Sequence, residues 1–133
     1  MRNAHYWRRD YRGFLEFFFS CAFNEPHSTK QIEDAVGWGL ETDPETLIAT
    51  ARGPAWETPE DVLETCARIE CPSLVIHGDR DWISPYQRAQ LLADALGGRL
   101  ATIAGGGHIP NARDPVKVNL WIREFAERLG PWR

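Results

Sequence analysis

Cysteine and methionine are scarce in this chain, and the cysteines form no pattern. The 133 residues hold one methionine and three cysteines, Cys21, Cys66 and Cys71. An odd count with no C-x-x-C or Cys/His spacing gives no support to a cysteine-based metal site. Free thiols in a reducing compartment are the expectation. Long apolar runs are lacking too. The stretch FLEFFFSCAF at 14–23 contains Glu16 and follows a strongly charged segment. It is far short of the roughly 20 apolar residues of a membrane span, and it lacks the small-residue cleavage pattern of a secretory signal. These absences lead us to expect a soluble cytoplasmic protein with no membrane partner. Repeats, low-complexity tracts and long linkers are also missing. Nor is positive charge in excess: 15 Lys and Arg stand against 19 Asp and Glu, a net charge of −4. A general nucleic-acid binder would want a basic face. The local cluster of Arg2, Arg8, Arg9 and Arg12 among Tyr6, Trp7 and Tyr11 is read as the solvated face of an amphipathic helix.

What remains is an ordinary globular composition, 43% apolar and 26% charged, sufficient for one domain at most. The chain divides into two stretches of different grammar. Residues 1–70 read as helices and loops. A helix over about 7–22 would place Tyr11, Leu15, Phe18 and Phe19 on one face. Ser28 and Gln31 have the spacing of a capping box ahead of Ile32, Ala35 and Val36. Asp43-Pro44 and Thr58-Pro59 each pair a capping side chain with a proline at the first helical position, where no N–H is needed. The helix after Thr58 should bury Val62, Leu63, Cys66 and Ile69. Pro54 falls in the loop before it. Trp7, Trp38 and Trp56 could line a pocket, although core packing is the commoner use of large aromatics.

Residues 71–133 read as strand, helix, strand, helix. Pro72 ends the preceding helix. Ser73 to His77 is apolar without alternation, as in a parallel-sheet strand covered on both faces. Ser84, Pro85 and Gln87 suggest a second capping box, opening a helix that buries Ala89, Leu92, Ala93 and Leu96 and stops at Gly97-Gly98. Leu100 to Ala104 is the second strand. Asp114-Pro115 opens a last helix with the stripe Val118, Trp121, Ile122, Phe125 and Leu129, ended by Gly130 and Pro131. A right-handed crossover makes the two strands parallel neighbours.

Two segments carry chemistry: LVIHGDRD at 74–81 and GGGHIP at 105–110. Each is an apolar strand that runs out into a titratable side chain. In a parallel sheet, functional groups gather beyond the carboxyl ends of the strands, so Asp81 and His108 can meet there. A carboxylate bonded to one imidazole nitrogen fixes the tautomer and leaves the other nitrogen to take a proton. His77 reads as a strand-end residue bonded to backbone, and Asp79 as a turn cap. Trp82 and Ile83, following the acid, could face a substrate cavity. A weaker alternative is metal binding by His77, Asp79, Asp81 and His108.

The order acid then histidine, in these contexts, resembles the α/β-hydrolase family. The family's acid lies in a G-x-x-D turn, here Gly78-Asp79-Arg80-Asp81, which selects Asp81 over Asp79. Its histidine follows a short strand and a glycine-rich turn, here GGGHIP, and the next helix commonly opens at a pair such as Asp114-Pro115. The resemblance covers residues 70–129, with 1–69 similar in style to the family's helical cap. It implies an α/β fold: a cap-like segment at 1–70 and the C-terminal portion of the hydrolase core at 71–133. It also implies hydrolysis of an ester, thioester, amide or related bond in a small-molecule substrate. Asp81 and His108 would be catalytic, and neither metal nor organic cofactor is implied. The family's nucleophile belongs on a G-x-S-x-G elbow. None of Ser20, Ser28, Ser73 and Ser84 lies in such a context, and no cysteine or aspartate elbow replaces it. The donors of an oxyanion hole would also come from the part not seen here. Two strands alone leave apolar flanks uncovered. We therefore expect the isolated chain to be inactive, and either a complementary N-terminal hydrolase segment or self-association to cover it. The non-catalytic alternative is a self-associating remnant or truncated product acting as a binding or structural module.

Overall fold

The computed structural model describes residues 3–53 and 58–130. Arg2, Pro54, Trp56 and Pro131 lie outside the described residues. The chain divides into two compact units, Met1–Ala55 and Trp56–Arg133. The helix that opens at Thr58-Pro59, grouped with the first stretch in the sequence reading, belongs to the second unit.

The first unit contains α1 (Ala4–Arg9), α2 (Tyr11–Ala22), α3 (Thr29–Gly39) and α4 (Pro44–Ala51). The single helix expected over 7–22 is broken at Asp10. Its backbone N–H closes α1 on Tyr6 O, and its side chain caps α2 by accepting from Gly13 N at 2.9 Å. A short polar side chain that can bond the next turn competes with helix continuation. The S-x-x-Q box at Ser28 does not form. The Ser28 hydroxyl instead donates to Glu25 O at 2.8 Å, and no side-chain cap is made at α3. Asp43 does cap α4, accepting from Thr46 N at 2.8 Å. Trp7, Phe14, Leu15, Val36 and Ile48 form the core of this unit, with the Trp7 and Phe14 rings 5.2 Å apart. Trp38 is exposed. In the basic cluster, Arg8 forks onto Glu45 at 2.6 and 2.9 Å in an exposed position. Such an exposed pair is screened by solvent and adds little to stability.

The second unit contains α5 (Pro59–Cys66), β1 (Leu74–Gly78), α6 (Tyr86–Ala95), β2 (Arg99–Ile103), α7 (Pro110–Arg113) and α8 (Pro115–Arg128). α5 opens with a reciprocal capping box between Thr58 and Asp61. Each strand sits within one residue of its expected limits. The strands pair in parallel, with Leu74 opposite Arg99, His77 opposite Thr102 and Gly78 opposite Ile103. α7 was not anticipated; Pro110 pre-sets its first turn. The capping box at Ser84 is absent, because the Ser84 N–H is bonded to Asp81. The chain turns out of α6 at Gly97, in the left-handed region at φ +56, which glycine occupies without steric cost.

Burial here is incomplete. Ala89, Ala93, Ala101, Ile103 and Val118 are buried, but Leu74 to His77 are only half-buried. Of the α8 stripe only Val118 is buried, while Ile122 and Leu129 are exposed, as are Leu63 and Ile69 near the end of α5. A lone pair of strands offers too little sheet surface to cover the helices beside it.

Two glycines should respond oppositely to alanine. A Cβ at Gly78 would lie 2.1 Å from Gly106 O and 2.5 Å from Gly107 O, both backbone atoms. Gly78→Ala should therefore destabilise by about 1–3 kcal/mol or more. Gly37, inside α3, has nothing within 4 Å, so Gly37→Ala should stabilise by about 0.5–1 kcal/mol. Urea midpoints of the two variants check both.

Candidate active site

The end of β1 and the end of β2 are held against each other by backbone. Asp79 N donates to Ile103 O at 3.2 Å and Arg80 N to Gly106 O at 3.0 Å. Gly78 lets this approach happen, since a side chain there would enter the Gly106 carbonyl. The chain leaves β2 through Gly105, at φ +73, a conformation that excludes most side chains. The turn at 105–107 then delivers His108.

Asp81 and His108 meet as the sequence reading expects. The Nδ1 of His108 is 2.8 Å from Oδ2 of Asp81. The Asp81 side chain is only 2% exposed, and that of His108 is partly open to solvent. The other Asp81 oxygen, Oδ1, accepts from Ile83 N at 2.7 Å and Ser84 N at 2.8 Å. The carboxylate thus closes its own turn and aims at the imidazole at once. A carboxylate oxygen next to Nδ1 places the ring proton there, so Nε2 is left as the proton-accepting nitrogen. Burial tends to raise the Asp81 pKa, but the Ser84 N–H, the His108 ring and the Ile83 N–H outweigh it and hold the carboxyl below the usual aspartate value.

His77 does more than the strand-end role expected of it. Its Nδ1 is 2.8 Å from Gly78 O, the backbone bond foreseen, and its Nε2 is 3.3 Å from Asp81 Oδ2. The ring packs edge-on to Tyr86 at 6.0 Å, and the Tyr86 hydroxyl bonds Thr102 on β2. Periodicity could not reveal this third member, since His77 is one residue of an apolar strand. Its spacing of four from Asp81 was the available signal. Asp79 is not a local cap: its Oδ1 accepts from Gly105 N at 2.6 Å, across to the other turn.

Trp82 is 69% exposed and Ile83 is half-buried, its N–H engaged with Asp81. Among the described residues no group of three or more His, Cys, Asp or Glu is arranged to hold a metal ion, and no helix is long and apolar enough to cross a membrane.

The lowered Asp81 pKa has a signed consequence. Unfolded aspartate titrates near 3.9. Because the folded value lies lower, the stabilising contribution is present above about pH 4 and is lost as pH falls through the folded value. Thermal midpoints of wild type and Asp81→Asn should therefore differ most above about pH 4 and converge in more acidic solution.

No protein-family model matches the sequence. Two curated relatives, both named as the carbamate hydrolase RutD, match parts of it. The Pseudomonas savastanoi pv. phaseolicola protein is 38% identical over 66 residues, 49% of this chain and 26% of the relative. The Pseudomonas syringae pv. syringae protein is 32% identical over 96 residues, 71% of this chain and 37% of the relative. The chain thus spans about a quarter to a third of the length of these relatives. Among solved structures, the esterase RhEst1 from Rhodococcus sp. ECU1013 superposes with a TM-score of 0.77 at 20% identity, over 92% of this chain and 43% of the esterase. A bromoperoxidase from Bacillus anthracis gives 0.75 at 20% identity, over 93% and 48%. Est816, described as an N-acyl homoserine lactone degrading enzyme, gives 0.70 at 22%, over 94% and 51%. With parallel strands that end in an acid turn and a histidine turn, the chain carries part of the α/β-hydrolase fold.

Proposed function

We propose that this chain supplies the acid and the histidine of a hydrolytic triad. Asp81 would orient His108 and stabilise its protonated form, and His108 Nε2 would act as general base and then general acid. The observation that carries the reading is the 2.8 Å contact of His108 Nδ1 with a carboxylate that two backbone N–H groups already immobilise. The substrate class is an ester, thioester, amide or related acyl compound. The names of the RutD relatives, the esterase and the N-acyl homoserine lactone degrading enzyme are consistent with it, since carbamates, esters and lactones all react by attack on a carbonyl carbon, while that of the bromoperoxidase is not. Trp82, exposed just past the acid, and Ile83 are the proposed substrate contacts. The nucleophile and the oxyanion donors would come from a complementary N-terminal hydrolase segment.

The test is reconstitution with a short p-nitrophenyl ester. The isolated chain should show no triad-type turnover. Mixing or fusing it with an N-terminal α/β-hydrolase segment that carries a glycine-flanked nucleophile, such as that of a RutD relative, should restore hydrolysis. Asp81→Asn should lower the restored kcat by about 10⁴, and His108→Ala should abolish it. Hydrolysis by the isolated chain that required both residues would overturn the assignment of the nucleophile to another segment.

The uncovered apolar surface favours a second, non-catalytic reading. Val116, Leu120 and Ile122 on α8, Leu129 at its C-cap and Leu91 on α6 are large apolar side chains exposed to solvent. Self-association would cover them. Size-exclusion chromatography of the pure chain should then show a dimer or larger species, and a compact monomer would count against this reading.

A further inference from the structure

His108 is delivered by three successive glycines, the least restrained backbone available. A reacting imidazole must nevertheless be held to about half an ångström. Something outside the turn must therefore remove its freedom. Hydrogen bonds that tie the turn down include Gly106 N to Ile103 O, Arg80 N to Gly106 O, and Gly105 N to Asp79 Oδ1 at 2.6 Å. The last of these uses a side chain, and it joins the turn at the end of β1 to the turn at the end of β2. It acts at Gly105, the one residue of the turn with a positive φ, where the chain departs from the strand direction. A carboxylate accepting from a backbone N–H is among the stronger neutral-donor bonds.

We propose that Asp79 is a positioning residue for His108: its carboxylate clamps the glycine turn and thereby sets the imidazole against Asp81. The proposal rests on the triad reading for its purpose, but its geometry can be tested without turnover. Asp79 then has a role distinct from that of Asp81, although both belong to one G-x-x-D turn. Asp81 bonds the imidazole, and Asp79 bonds the backbone that carries it.

The experiment is NMR of the full chain, following the low-field His108 Nδ1 proton and hydrogen exchange at the Gly105 amide. Asp79→Ala should broaden the His108 proton signal and speed Gly105 exchange on the order of tenfold, as expected for loss of one charge-assisted bond. Asp79→Asn keeps an acceptor oxygen and should restore both signals to near the wild-type state. Thr58→Ala, which removes the α5 cap, controls for general loss of stability and should leave the His108 signal in place. An unchanged His108 signal in Asp79→Ala, failure of Asp79→Asn to rescue, or equal loss in Thr58→Ala would each overturn the proposal. Failure of reconstituted hydrolysis with these signals intact would instead count against the triad reading alone.

Discussion

Everything at the candidate site depends on the close backbone approach of two turns at the ends of two parallel strands. β1 and β2 run level, so that Gly78 and Ile103 finish opposite one another. Beyond that point both chains turn, and the Gly78 position comes against the Gly106 and Gly107 carbonyls with no room for a side chain. Parallel pairing by itself would bring Asp81 and His108 only to the same edge of the sheet. The contact between the turns brings them to hydrogen-bond distance, and the cross-turn bonds of Asp79 and Arg80 keep it in register.

Within that frame Asp81 is a saturated acceptor. Two backbone N–H groups hold one oxygen, and His108 and His77 approach the other. A carboxylate almost fully withdrawn from water is tolerable only when paired or hydrogen-bonded, and here the bonds outweigh the burial, so the group stays ionised. The same bonds that keep it charged also fix its direction. The imidazole therefore meets an acceptor that cannot swing away, and its ring proton is assigned to Nδ1 by that partner.

The surroundings of the site are less complete than the site itself. Ala89 and Ala93 on α6 and Val118 on α8 are buried, while the larger Leu120 and Ile122 on α8 stay exposed. Relatives and structural neighbours share the fold over a minority to about half of their own length. An acid and a base can thus be fully assembled by two strands and their turns. A covered hydrophobic face cannot, because it needs more sheet than two strands provide.

The local grammar of the sequence determined much of this by itself. Apolar runs of strand length, proline-led helix starts at Pro44, Pro59 and Pro115, and the glycine stop after α6 are short-range signals, and each marks a real element. The pairing of Asp81 with His108 was legible because both lie just past strand ends of one crossover unit. Five features were not. The break at Asp10 and the unformed boxes at Ser28 and Ser84 turned on competing hydrogen bonds, to Gly13, to Glu25 and to Asp81. A capping motif states only that a bond is possible. His77 and Asp79 look local in the sequence, one a strand residue and the other a turn acid, yet they reach Asp81 and Gly105. Which partner a polar group takes is decided by what the fold brings within reach, and that information resides in the tertiary structure alone.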